Sequence, residues 1–234
     1  MMRYNNIVSA RFVSRPNRFI AMVDIGGEVC TAHVKNTGRC RELLTSGCEV
    51  WLDVSDNLQR KTKYDLIAVK KQRDGLPDLI INMDSQIPNA AVCEWLPRSG
   101  LFSADAVLRR EVNYGSSRFD IRVEDGQRKA FIEVKGVTLE QNGIAMFPDA
   151  PTQRGIKHLT ELANSLRDGY EAYVVFVIQM KGVHEFRPND ITHKAFGDSL
   201  RRAASEGVRI IAVDCNVTPD SIKIDSEIKI KIMS

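Results

Sequence analysis

Asp120 follows Phe119 and, after twelve intervening residues, comes Glu133-Val134-Lys135. Alternation along a strand puts Glu133 and Lys135 on one face and Val134 on the other. A hairpin turning at Gly126 would bring Asp120 beside Glu133. Two carboxylates at close range repel, and each tends to keep its proton. A divalent cation removes that conflict. Mg2+ uses one or two protein carboxylates and completes its octahedron with waters and phosphate oxygens. Asp120, Glu133 and the backbone carbonyl of Val134 are therefore a candidate Mg2+ site, with Mn2+ as the alternative ion. Lys135 would hold an attacking water or neutralise charge building on a phosphate. A solvated Glu-x-Lys pair would use the same residues. The apolar neighbours Phe131, Ile132, Val134 and Val137 argue for burial instead, where charges are costly unless paired or metal-bound.

A second group lies in Phe147-Pro148-Asp149-Ala150-Pro151-Thr152-Gln153-Arg154-Gly155-Ile156-Lys157-His158-Leu159. Arg154, Lys157 and His158 are spaced i, i+3, i+4 at the start of a helix and would share a face. Cations there oppose the helix dipole, and a bound phosphate would offset the cost. With Thr152 just ahead, they form a candidate phosphate-binding group; an exposed amphipathic helix accounts for Ile156, Leu159, Leu162 and Leu166 but not for the basic residues. Glu94, on a predicted helix after Asn89, could aim a third carboxylate at the ion, or be an ordinary surface Glu. Arg18, Phe19 and Trp51 are candidate contacts for a nucleic-acid strand. The basic runs 39–41, 60–63 and 70–73 read more readily as solvated loop charge. No Walker loop, GxSxG elbow, HExxH or dinucleotide fingerprint occurs.

Two regions position these residues. Up to residue 83 the pattern is short strands and turns: 18–24 and 28–34 around Gly26-Gly27, then 49–54, 66–70 and 79–82, with only 41–44 helical. That density predicts a small closed barrel of OB type. From 84 to 234 strands and helices alternate: a helix over 88–96, strands over 111–114, 118–123 and 130–134, and a helix over 151–168 with Asp149 as N-cap. A buried strand over 172–178, a helix over 192–206 ended by Gly207, a strand over 208–213 and a tail strand over 222–232 complete the order. This predicts an α/β layer on a mixed, partly parallel sheet.

Composition sets the bounds. At 43% hydrophobic and 27% charged residues, the 234-residue chain is globular rather than disordered. A net charge of +3 neither demands nor opposes a nucleic-acid partner. The polar start Met1-Met2-Arg3-Tyr4-Asn5-Asn6 gives no expectation of a secretory signal, and the apolar run through 173–178 is far short of the ~20 residues of a membrane helix. Five cysteines without a CxxC pair point to free thiols. The expectation is a cytoplasmic protein with no membrane partner, and a homodimer is admissible.

The chain resembles the sugar fermentation stimulation protein A family over nearly its whole length. The resemblance rests on Arg18-Phe19, Asn36-Thr37-Gly38, Ser55-Asp56-Asn57, Asn89 with Glu94, Glu111-Val112 with Tyr114-Gly115, and Arg118-Phe119-Asp120. It continues through Ile132-Glu133-Val134-Lys135, Val137-Thr138-Leu139 and the block from Phe147 to Leu159. It implies an OB-like domain joined to a PD-(D/E)xK nuclease-like domain, with DNA binding as a general property and a link to regulation of sugar (maltose) utilisation genes. Position by position, it gives Asp120, Glu133 and Lys135 the metal and catalytic roles and Glu94 the helix-borne acidic role. Phe119 stands where the motif's name has Pro; Lys35 and Gly136 stand where Pro and Ser are expected. The implied function is a Mg2+-dependent phosphodiesterase acting on DNA or RNA. Its rivals are a non-catalytic DNA-binding regulator on a nuclease scaffold and an adaptor for small molecules or proteins.

Overall fold

The computed structural model describes residues 1–36, 38–57 and 59–232; Thr37 of the Asn36-Thr37-Gly38 motif lies outside them. The first strands are β1 (Met2–Arg3), β2 (Ile7–Asn17), β3 (Ile20–Ile25), β4 (Glu28–Val34), β5 (Glu49–Val54), β6 (Tyr64–Lys71) and β7 (Leu79–Asn82). Strands β4-β3-β2-β5-β6 are neighbours in that order, and a parallel pairing of β4 with β6 closes them into a five-strand barrel. Inward positions such as Phe12, Val23, Val34, Val50, Leu52, Leu66 and Val69 fill it. Gly26 and Gly27, both at positive φ, make the tight β3–β4 turn.

The long β2 was not expected from the sequence; Arg11, Ser14, Arg15 and Pro16 interrupt its apolar pattern. Residues 41–44 form a turn rather than a helix. The N–H groups of Leu43 and Leu44 both reach the Cys40 carbonyl, and Thr45-Ser46-Gly47 leaves no length for helix propagation. Strand β1 pairs with a strand of the second sheet and not with the barrel.

The remaining elements are α1 (Ile87–Trp95), a 3-10 turn (Leu96–Arg98), β8 (Val107–Tyr114), β9 (Ser117–Asp125), β10 (Arg128–Val137), β11 (Leu139–Gln141), β12 (Ile144–Phe147), α2 (Gln153–Arg167), β13 (Glu171–Ile178), β14 (Glu185–Pro188), α3 (Asp190–Glu206), β15 (Arg209–Thr218), β16 (Ser221–Glu227) and β17 (Lys229–Ile230). The main sheet runs β1-β16-β15-β13-β10-β9-β8. Its centre, β10-β13-β15, is parallel and its flanks antiparallel. Leu159, Leu162, Phe196 and Leu200 bring α2 and α3 onto one face; Ala91, Val92 and Trp95 bring α1 onto the other.

Strands β8, β10 and β15 run longer than expected, and two further boundaries differ in kind. The tail splits after Glu227, and β17 joins β11, β12 and β14 in a small separate sheet. The N-cap of α2 is Thr152, whose side chain accepts from the Gly155 N–H at 3.0 Å. Asp149 lies instead against the barrel loop, where a Cβ on Gly38 would come within 2.1 Å of its Oδ2.

Candidate metal and phosphate site

The site forms where a strand ladder opens. Strands β9 and β10 pair from Arg128 with Asp125 to Ile132 with Ile121, while β10 alone continues beside β13 as far as Val137. At the break Asp120 supplies the missing acceptor: its Oδ2 takes the Val134 N–H at 2.8 Å and its Oδ1 takes Asn89 Nδ2 at 2.9 Å. On β8 the neighbouring Glu111 has φ +55°, between residues that remain in register. Phe119 packs towards α2 whereas Ile121 packs towards α1, so β9 rotates about Asp120. That rotation turns a residue of a regular strand into one whose carboxyl sits between two strands.

Glu133 is only 2% exposed and faces α2. Its Oε1 receives Lys135 Nζ at 2.5 Å and the Nδ1 of His158. Its Oε2 is buried and has no partner among the described residues. Burial, with the Glu133 charge next in weight, raises the Asp120 pKa above its ordinary 3.8; the Val134 N–H only partly compensates. For Glu133 burial also pushes upward, but the His158 hydrogen bond and Lys135 outweigh it and hold the carboxyl below its ordinary 4.5. The two pKa values are thus driven apart, that of Asp120 upward and that of Glu133 downward.

Arg154 and His158 act together and Lys157 does not. His158 is 5% exposed, and Arg154 Nε donates to its Nε2 at 3.3 Å. Arg154 itself is exposed, with no carboxylate partner among the described residues. Lys157 turns away and donates to the Ser116 carbonyl at 2.7 Å. Thr152 is occupied as the helix cap, and its N–H donates to His193 Nδ1.

Glu94 is not brought to Asp120; it pairs with the Met1 ammonium group. The physical reason is helical phase: α1 aims Asn89 at Asp120, and Glu94, five residues on, points elsewhere. Asn89 as the helix-borne partner and His158 as the partner of Glu133 were both missed from sequence. The i, i+4 spacing of Arg154 and His158 was the available signal for the second.

Arg18 and Phe19 occupy the β2–β3 turn of the barrel, with the Arg18 guanidinium 5.7 Å above a Phe19 ring whose residue is 49% exposed. Trp51 is half-buried on β5. Half of the cationic residues in the basic runs are consumed in ion pairs: Arg60 binds Asp65, Lys70 binds Asp78, and Lys71 and Arg73 both bind Glu140.

Comparison with known proteins bears on the fold and the family. The family model described as "Sugar fermentation stimulation protein RE domain" matches residues 86–221, and "SfsA N-terminal OB domain" matches residues 13–78. The chain belongs to the sugar fermentation stimulation protein family. A homologue of that name in Desulfitobacterium hafniense (strain Y51) is 54% identical over 232 residues, covering 99% of each chain. Another in Clostridium beijerinckii is 54% identical over 223 residues, covering 95% of this chain and 96% of its own. A solved structure, Pyrococcus furiosus SfsA in complex with Ca2+, matches with a TM-score of 0.84 and 26% identity over 98% of both chains. The OB-like barrel followed by the mixed α/β domain is therefore the family's architecture in this chain.

The donors at the break fit a hard divalent cation. Asp120 offers a carboxylate and Glu133 an orphaned buried oxygen, and both are oxygen ligands. Among the described residues no three His, Cys, Asp or Glu side chains are grouped to hold an ion. An ion here would take few protein ligands and keep several waters, which is the Mg2+ habit.

Proposed function

We propose that the protein is a divalent-metal-dependent phosphodiesterase acting on nucleic acid, with DNA as its principal polymer and Mg2+ or Mn2+ as its ion. One observation carries the reading: Glu133 spends one buried oxygen on Lys135 and His158 and keeps the other without a partner among the described residues. A buried acceptor left unmade costs about 1–3 kcal/mol, so a carboxylate poised this way beside Asp120 has its natural partner in a cation. The Ca2+ of the Pyrococcus furiosus neighbour supports the same reading.

Asp120, Glu133 and the Val134 carbonyl would hold the ion, which supplies Lewis acidity and a lowered pKa for bound water. Asn89 and the Val134 N–H fix the Asp120 carboxyl, so little is left to organise when phosphate arrives. Lys135, on the same face as Glu133, places a positive charge where a phosphate in transit gathers negative charge. Arg154 extends a free guanidinium edge from the start of α2 to a neighbouring phosphate. On the barrel, Arg18 and Phe19 offer the charge-plus-ring combination that holds single strands by backbone attraction and base stacking. The setting we propose is a cytoplasmic enzyme or regulator tied to sugar utilisation.

Labelled single- and double-stranded DNA and RNA, incubated with purified protein, test the reading. Cleavage should require Mg2+ or Mn2+, stop on chelation, and fall about 10^2- to 10^3-fold in Glu133→Gln, the scale of losing a principal electrostatic group. Intact polymers under every condition, with Glu133→Ala indistinguishable from wild type, refute catalysis. Salt-sensitive DNA binding that survives Asp120→Asn without any ion dependence would assign the chain to the regulator class instead.

A further inference from the structure

We propose that His158 is a positioning residue joining the two halves of the site: Nδ1–H holds Glu133 Oε1 so that Oε2 faces the ion, and Nε2 holds Arg154 Nε so that the rest of the guanidinium faces a phosphate. The inference deepens the phosphodiesterase reading and rests on it. Arginine can only donate, so the Arg154 contact makes Nε2 an acceptor and places the ring proton on Nδ1, where it points at Glu133. His158 is too buried to meet a phosphate itself, which removes it from the group that touches substrate.

The two Glu133 oxygens have different fates for this reason. Lys135 and His158 both converge on Oε1. Without His158 the carboxylate could rotate and offer either oxygen to Lys135, and Oε2 would no longer be reserved. The ring is held edge-on to Phe119, with centroids 6.5 Å apart, and sits one helical turn beyond Arg154, so its orientation is set by packing as well as by hydrogen bonds. His158, held to Glu133 on one side and Arg154 on the other, would couple the two ends, so that ion affinity and polymer affinity would rise together by linkage.

Mn2+ binding to full-length protein, measured by calorimetry, and the Mn2+-dependent gain in affinity for a fluorescein-labelled DNA oligonucleotide together test this. Partners of metal ligands are typically worth about 10- to 100-fold in ion affinity. His158→Leu should weaken Mn2+ binding by that factor. His158→Gln, which can still donate and accept, should recover most of it, whereas a purely structural role would move melting temperature and leave ion affinity alone. Wild-type Mn2+ affinity in His158→Leu overturns the positioning role only; failure of wild type to bind Mn2+ overturns both this inference and the function it rests on. Should His158→Leu not fold, Arg154→Met on the exposed end decides. It should lose most of the Mn2+-dependent gain in oligonucleotide affinity, and an undiminished gain overturns the inference.

Discussion

Replacing Asp120 by Asn should make the metal-free protein more stable while abolishing its response to metal. Asp120 and Glu133 lie one step beyond Ile121 and Ile132, the last paired residues of β9 and β10, and the cross-strand spacing of about 5 Å between Cβ atoms sets the scale of their separation. Two unit charges at that distance repel by about 3 kcal/mol at an effective dielectric of about 20. Lys135, paired to Glu133 at 2.5 Å, cancels much of this, leaving on the order of 1 kcal/mol stored between the acids. The hydrogen bonds survive the change. The Asn oxygen can still accept the Val134 N–H, and Asn89 can turn its amide over to accept from the new NH2.

For a chain of this size about 1 kcal/mol corresponds to about 2–4 °C in melting temperature. Scanning calorimetry in EDTA should find Asp120→Asn melting above wild type by that amount. At an Mn2+ concentration 100 times the dissociation constant, wild type should gain about 2.7 kcal/mol and overtake the variant. A variant that melts below wild type in EDTA, or gains as much from Mn2+, would refute the claim that these acids are held together for a cation.

Three other expectations concern the frame around the site. Glu140 is fully buried and receives Lys71 Nζ at 2.6 Å, the Gly143 N–H at 2.6 Å and Arg73 at 3.4 Å. Glu140→Gln should therefore cost about 3 kcal/mol by stranding the lysine charge, about 6–12 °C by calorimetry; a loss under 1 °C would refute the seam's importance. Glu171 is pulled to about 2 chiefly by its hydrogen bonds from Arg128, with burial opposing and the Tyr173 hydroxyl assisting. A depressed carboxylate contributes stability above its unfolded pKa of about 4.3 and loses it as pH falls towards about 2. Melting temperature should accordingly drop less steeply between pH 4.5 and 2 in Glu171→Gln, by the small margin expected of a partly exposed pair; identical acid limbs would count against the pairing. Gly38→Ala drives a Cβ to 2.1 Å from Asp149 Oδ2 and should cost about 1–3 kcal/mol, read by urea denaturation as a lowered midpoint at unchanged slope.

Where a local signal repeats, the sequence discloses the structure. The continuous apolar run of β13 and the Gly207 stop of α3, at φ +111°, each follow from a rule that needs only a few neighbouring residues. That Glu133 and Lys135 share a face, with Asp120 on the neighbouring strand, was legible because strand alternation and one turn suffice for that much. Elements that depend on distant partners were not. β11, β12 and β14 have three or four residues each, too few for a period to show. Lys157, His158 and Arg154 looked equivalent because helical spacing gives the face and not the depth. Only the sheet beneath α2 makes His158 buried and leaves Lys157 at the rim. Glu94 illustrates the same limit, since the few residues between it and Asn89 decide which one meets Asp120.

The barrel is joined to the sheet through the strand that carries the site. Beyond Lys135, β10 runs to Val137, whose carbonyl accepts the Gln179 N–H at 2.9 Å; the Gln179 carbonyl in turn accepts the N–H of Asn82, the last residue of β7. Gln179 Nε2 donates to the carbonyls of Asn82 and Asp84, and Asp84 is held by Lys35 at 3.0 Å. Two residues further along the chain than Thr138, Glu140 is anchored by barrel lysine and arginine. The end of β10 is thus fixed from the sheet on one side and the barrel on the other. Sites supported in this way are held near working geometry before a ligand arrives. Under the proposed function, a strand gripped by the barrel would be presented to Asp120 and Glu133 in a fixed register, so the barrel's contribution should appear in where a polymer is engaged as much as in how tightly.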